Sequence, residues 1–181
     1  MPAAPAEPGF GIVVPDPAGG GGPSAAWLSY NGAVLRCAIG RTGVQPDKRE
    51  GDGGTPPGRL VLRRVLYRAD RGPPPACRVP VEPIARDDGW CDDADHPAYN
   101  RPVRLPFAAS HEELWREDRL YDLIGVLGWN DDPPVRGRGS AIFLHVAAPD
   151  FAPTAGCVSL PEAELRRLLA SGLAGLQVLA A

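Results

Sequence analysis

Two residues of this chain have the types that nucleophilic acyl chemistry needs, a thiol and an imidazole. Cys157 sits in Ala155-Gly156-Cys157-Val158-Ser159-Leu160, twelve residues after His145, which ends the apolar run Ser140-Ala141-Ile142-Phe143-Leu144. A free thiol of pKa about 8.5 is only slightly ionised at neutral pH, so an imidazole that takes its proton raises its reactivity directly. Placing Cys157 just before the first turn of a helix adds the partial positive charge of free N–H groups, which favours a thiolate. Gly156 lets a substrate backbone come close, and N–H groups in the segment Thr154 to Ser159, Val158 included, are candidates to receive a developing oxyanion. The competing reading of the same pair is an inert buried thiol and a hydrogen-bonded histidine at a strand end.

Other polar groupings carry less. Cys91-Asp92-Asp93-Ala94-Asp95-His96 offers thiolate, carboxylate and imidazole but no second paired ligand at metal spacing, so it reads as a solvated loop. No metal and no cofactor is expected. Trp90 and Tyr99, in the same Pro-rich region, either line a substrate cleft or plug the core. Asn130-Asp131-Asp132 reads as an Asx-type turn which, with Ser140, supports the His145 side. Gly19 to Gly22 lacks the Lys-Ser/Thr of a phosphate loop.

The elements that must position these residues are mostly strands. Ala26–Tyr30 and Ala33–Ile39 flank Asn31-Gly32, a pair that tolerates the positive φ angles of a type I′ hairpin turn. Residues 40–58 and 70–106 are long, constrained Gly/Pro-rich loops on either side of a strand at Leu60–Tyr67. Leu120–Leu127 and Ser140–Val146 have the length and apolarity of central strands. A short helix is expected at His111–Trp115 with Ser110 as its cap. A longer one is expected after the capping box Ser159-Leu160-Pro161-Glu162, with Leu165, Leu168 and Leu169 as its apolar stripe and Gly172 as its end. Leu176–Leu179 can close a sheet as the last strand. The sequence therefore divides into a flexible arm over 1–24 and one mainly β domain over 25–181, with one or two helices.

Composition agrees with that division. The 181 residues include 22 Gly and 22 Pro, against a long-helix protein, yet 44 % are hydrophobic and 23 % charged, enough to support a core. The 19 basic residues, of which only Lys48 is a lysine, are outweighed to a net charge of −3, so nucleic acid is not an expected partner. No run approaches the ~20 apolar residues of a membrane span. Met1 to Glu7 shows neither a basic region nor an apolar core of a secretory signal. Cys37, Cys77, Cys91 and Cys157 allow three complete pairings, and a free Cys157 would leave at most one internal disulfide.

The segments Ile142-Phe143-Leu144-His145 and Thr154-Ala155-Gly156-Cys157-Val158-Ser159-Leu160 resemble the L,D-transpeptidase (YkuD-type) catalytic domain, in which a strand-terminal His precedes a Ser/Thr-x-Gly-Cys turn. Upstream, Ala38-Ile39-Gly40-Arg41-Thr42-Gly43 and Gly54-Thr55-Pro56-Pro57-Gly58-Arg59-Leu60 look like the family's Thr-Pro-x-Gly region. The resemblance covers roughly residues 26 to 180, and two separated motifs in the right order make it specific. Ala155 and Ser159 depart from the His and the Arg or Asn that most members carry there, as do small proteobacterial members.

The resemblance implies a β-sandwich or curved mixed sheets, and acyl transfer through a thioester on Cys157. His145 would serve as general base and then acid, oriented by a third group, in this family often a backbone carbonyl, that the sequence does not identify. The implied partners are peptidoglycan stem peptides, joined by 3→3 cross-links in the periplasm or cell envelope. A monomer is expected, and carbapenem-type β-lactams are expected to acylate Cys157. Ala155 and Ser159 leave two alternatives: a hydrolase on the same scaffold (L,D-carboxypeptidase or amidase), or a non-catalytic cell-wall binding module.

Overall fold

The computed structural model describes residues 9–180 and begins with a strand, β1 (Phe10–Pro15). The arm reading fails there, while residues 1–8 lie outside the described residues. Phe10 and Val13 are buried, and β1 is paired on both edges, so the apolar run Phe10-Gly11-Ile12-Val13-Val14 prevails over its Gly/Pro surroundings. Pro17 to Pro23 form the exposed turns that lead onward. β2 (Ala25–Tyr30) and β3 (Ala33–Ala38) make the expected hairpin, with Asn31 and Gly32 at φ 47° and 81°.

β4 (Gly58–Tyr67) is followed by four short strands: β5 (Val81–Pro83), β6 (Asp88–Cys91), β7 (Pro102–Arg104) and β8 (His111–Glu113). β8 replaces the helix expected at His111–Trp115. Five residues are too few to sustain an isolated helix, and pairing of Cys91 with His111 and Trp90 with Glu112 uses the backbone better.

β9 (Leu123–Gly128), β10 (Phe143–Val146) and β11 (Val158–Leu160) come next, then α1 (Glu162–Ala170) and β12 (Gly175–Val178). The capping box is not formed. Ser159 is drawn into β11, opposite His145 and Ala38, and α1 starts behind Pro161 without a side-chain cap. Leu165, Leu168 and Leu169 are buried as expected, and Gly172, at φ 89°, follows the helix end.

The main sheet closes on itself. Its order is β12-β1-β2-β3-β11-β10-β9-β4, and β4 pairs back to β12 through Gly58–Val61 while its far end carries β5. β7-β6-β8 form a second, three-stranded sheet. Strand alternation then sorts side chains into two layers. Leu123, Leu127, Leu144, Val158 and Leu160 belong to the apolar cluster shared with α1. Ile124, Val126 and Phe143 face the other way, against Trp90, Leu114 and Tyr121 from the smaller sheet and its loops. The fold is thus mainly β with curved, closed sheets and a single short helix.

Candidate active site

Cys157 and His145 share the layer that faces the smaller sheet. β10 and β11 run parallel with Leu144 opposite Val158 and His145 opposite Ser159, so Cys157 stands one strand over and two residues before the partner of His145. With Leu144 and Val158 pointing into the inner cluster, alternation turns His145, Ser159 and Cys157 outward together. They line one cleft of about 480 Å3, with Thr154, Ser140 and Tyr121 also on its walls.

The turn that presents Cys157 is held by two threonines. The Thr154 hydroxyl donates to the Cys157 carbonyl (2.7 Å) and accepts the Gly156 N–H (3.1 Å). From across the molecule, the Thr55 hydroxyl donates to the Gly156 carbonyl (2.8 Å) and accepts the Gly40 N–H (2.9 Å). Gly156 adopts φ 144°, and a Cβ there would stand 2.7 Å from the Gly54 carbonyl oxygen. Only glycine allows the two motif segments to approach this closely. Thr55, fully buried, is the functional residue that sequence reading left without a role. Its signal was its place in the Thr-Pro-Pro-Gly segment.

The electrostatics differ from the sequence expectation. Cys157 lies before a strand rather than before α1, so the helix lends it no direct N-terminal charge. Burial, reinforced by the negative charge of Glu112, pushes its thiol up to about 12. The thiol donates to the Ala141 carbonyl (3.2 Å) and its sulfur accepts the Phe143 N–H (3.3 Å). Burial also lowers His145 to about 4, which keeps the imidazole neutral. His145 Nδ1 donates to the Val146 carbonyl (2.8 Å), so the remaining lone pair is on Nε2. The Tyr121 ring packs edge-on against the imidazole, centroids 5.3 Å apart, and its hydroxyl donates to Glu112 Oε2 (2.6 Å). The resting pair is a neutral thiol and a neutral imidazole on one cleft, the imidazole with a free nitrogen that can take a proton.

Trp90 and Tyr99 do not line this cleft. Trp90 packs edge-on against Phe143 (5.2 Å) and donates to Asn100 Oδ1 (2.9 Å), so it fills the space between the two sheets. Tyr99 is buried and donates to Glu50 Oε2 (2.5 Å), so it stands behind the cleft wall rather than on it. Val158 belongs to the inner cluster, and Gly156 shapes the turn. At Asn130 the side chain closes a wider loop than the expected Asx-type turn, Oδ1 accepting the Val135 N–H (2.7 Å) five residues on. The four cysteines are all unpaired thiols. Among the described residues no three His, Cys, Asp or Glu side chains group as metal ligands, and no helix is long and apolar enough to cross a membrane.

Compared with known proteins, the chain gave no match to a curated protein and none to a solved structure. Residues 25–178 match the family model of the L,D-transpeptidase catalytic domain, a span holding His145, Cys157 and the Thr55 segment that ties their turn in place. The chain belongs to the L,D-transpeptidase catalytic domain family, whose cysteine-dependent enzymes act on peptidoglycan peptides.

Proposed function

We propose that this chain is a cysteine acyltransferase that joins peptidoglycan stem peptides by 3→3 cross-links through a thioester on Cys157, in the periplasm. The observation that carries this reading is the opening of the Cys157 thiol and the His145 imidazole onto one cleft, with His145 fixed as the tautomer that accepts at Nε2. Transfer starts from the neutral pair. As the sulfur attacks the carbonyl carbon of the stem's third residue, its proton passes to Nε2, and no free thiolate has to exist beforehand. The imidazolium then protonates the leaving D-Ala nitrogen, and the carbon–nitrogen bond breaks to leave the thioester. An amine of a second stem attacks the thioester and gives its proton to His145. The sulfur departs and is reprotonated.

Burial of the thiol suits this order of events. A stable thiolate in the empty site would invite oxidation and alkylation, whereas a thiol bonded to Ala141 is exchanged for a nucleophile only when a carbonyl arrives. Ala155 and Ser159, in place of the family's usual side chains, favour a second reading, hydrolysis of the same thioester by water. Incubation with tetrapeptide muropeptides separates the two by mass spectrometry. Cross-linked dimer that disappears in Cys157→Ala is the expected result. Tripeptide without dimer overturns transfer in favour of hydrolysis, and products unchanged in Cys157→Ala overturn both.

A further inference from the structure

The connection from β9 to β10 presents the acceptor of the Cys157 thiol in a conformation that its own residue does not favour. Ala141, just before β10, sits at φ 50°, where an L side chain crowds the backbone and glycine or asparagine is the usual occupant. Its carbonyl takes the Cys157 S–H (3.2 Å). An alanine stays in this region only where its surroundings over-determine it.

One buried side chain supplies that constraint. Asn100 lies between β6 and β7, is 3 % exposed, and is itself left-handed at φ 55°, with its backbone N–H donated to the Cys91 carbonyl (2.9 Å). Its amide nitrogen donates to the carbonyls of Trp129 (3.0 Å) and Asn130 (2.8 Å), where the connection leaves β9. Its amide oxygen accepts the Ala141 N–H (3.1 Å), where the connection enters β10, and the Trp90 indole N–H (2.9 Å). Both amide hydrogens and both oxygen lone pairs are used, which fixes the orientation of the amide and ties the two ends of the connection together. Beside it, the Tyr99 hydroxyl accepts the Gly139 N–H (3.0 Å) of the same connection.

We propose that Asn100 is a positioning residue for the nucleophile: by holding Ala141 left-handed it keeps the Ala141 carbonyl on the Cys157 thiol and so fixes the sulfur in its resting place. Asn100 does not line the cleft and acts through Ala141. The inference rests on Cys157 as the nucleophile of the proposed transfer. A carbonyl bonded to S–H stabilises the neutral thiol and repels a thiolate, so releasing it makes the thiol more acidic. The sulfur then also loses its fixed approach to the substrate carbonyl, which slows turnover. Loss of the clamp therefore has opposite signs in the two measurements, faster alkylation and slower transfer.

The test is Asn100→Gly in the intact chain, which removes the four side-chain bonds and still tolerates φ 55°. Alkylation of Cys157 by iodoacetamide is read at its peptide by mass spectrometry from pH 7 to 11. The profile should lie about one pH unit below that of the wild type, which is about tenfold faster labelling at pH 8. Glu112, Tyr121, Lys48, His145 and Arg116, the charged and titratable groups around the thiol, are the same in both proteins. Cys37, buried in the inner cluster, reports unfolding in the same digest and should stay unlabelled. Trp90→Phe removes the other bond to the same oxygen, keeps that to Ala141, and should leave the profile within about threefold of the wild type. If Asn100→Gly alone does not fold, the same comparison is made in an Ala141→Gly background, where the left-handed conformation carries no penalty. An unmoved profile, Cys37 labelled in step with Cys157, or an equal displacement in Trp90→Phe overturns the assignment. Turnover of a stem tetrapeptide per folded molecule should fall about tenfold in Asn100→Gly, and turnover equal to the wild type overturns it too. A displaced profile in a protein whose wild type turns over no stem peptide sinks the stem-peptide function alone.

Discussion

The two faces of β10 and β11 divide the work of the molecule. Inward, Leu144, Val158 and Leu160 join Leu28, Ile39, Leu165 and Leu176 in an interior of mainly aliphatic side chains. Outward, one residue along in each case, Phe143, His145, Cys157 and Ser159 meet aromatic rings, carboxylates and a cleft. The backbone is the same and both faces are covered. What differs is that the inner layer has few side chains to hydrogen-bond, Tyr30 with its bond to the Ser171 carbonyl among them, whereas the outer layer carries a network in which each polar atom needs a partner. Both faces carry buried apolar side chains, but reactivity is confined to the outer one, with a thiol and an imidazole held neutral by the burial that the smaller sheet provides.

The largest effect that can break this comparison is on the reactivity of Cys157. With the thiol at about 12, alkylation of Cys157 in the empty site should rise about tenfold per pH unit from 7 to 11, roughly ten-thousandfold in all. Labelling that levels off below pH 8, measured at the Cys157 peptide, would show a stable thiolate and restore the expectation read from the sequence. The inner face answers differently. Leu144→Ala, at a fully buried position, should cost about 2–5 kcal/mol in denaturant melts, while Cys157→Ala at the next strand leaves most of the stability in place.

His145 links the two faces through pH. Its imidazole goes from 6.5 in the unfolded chain to about 4 in the fold, so the unfolded state binds the extra proton between those values. The corresponding stability is fully present above pH 6.5 and is lost as pH falls toward 4, on the order of 3 kcal/mol in total. Carboxylates titrate in the same window, so the measurement is the difference between the wild type and His145→Gln. Parallel stability curves for the two proteins over pH 4 to 6.5 would show that the imidazole is hydrated.

How far this was legible in the sequence follows the range of the forces involved. The Asn31-Gly32 hairpin, the apolar stripe of α1 and the central strands are local patterns, and each is found at or near its expected place. Phe10–Pro15 became a strand because β2 and β12 offer edges on both sides, a tertiary reason that composition does not carry. Ser159 shows the same limit: Ser-Leu-Pro-Glu is a good helix start locally, but pairing with β10 uses the residue instead. At the site, His145 and Cys157 were legible from motif order, and the cleft that joins them is there. The direction of the thiol shift was not, because it depends on burial under the covering sheet and on the Glu112 charge, both remote in sequence.

Thr55 offers the smallest effect and the finest test of the division. Its hydroxyl has no part in the chemistry, yet it accepts from Gly40 and donates to the carbonyl of Gly156, so it joins the end of β3 to the turn bearing the nucleophile. Thr55→Val keeps the shape and removes both bonds, leaving a buried N–H and a buried carbonyl without that partner. The expected loss is about 1–3 kcal/mol of stability. Thr55→Ser, which keeps the hydroxyl, should recover most of it. If the outer layer works as a network, turnover should fall in the valine variant by more than the unfolded fraction accounts for, because Gly156 and Cys157 lose their fixed position relative to His145. Turnover that tracks only the folded fraction would make Thr55 a packing residue of the inner kind.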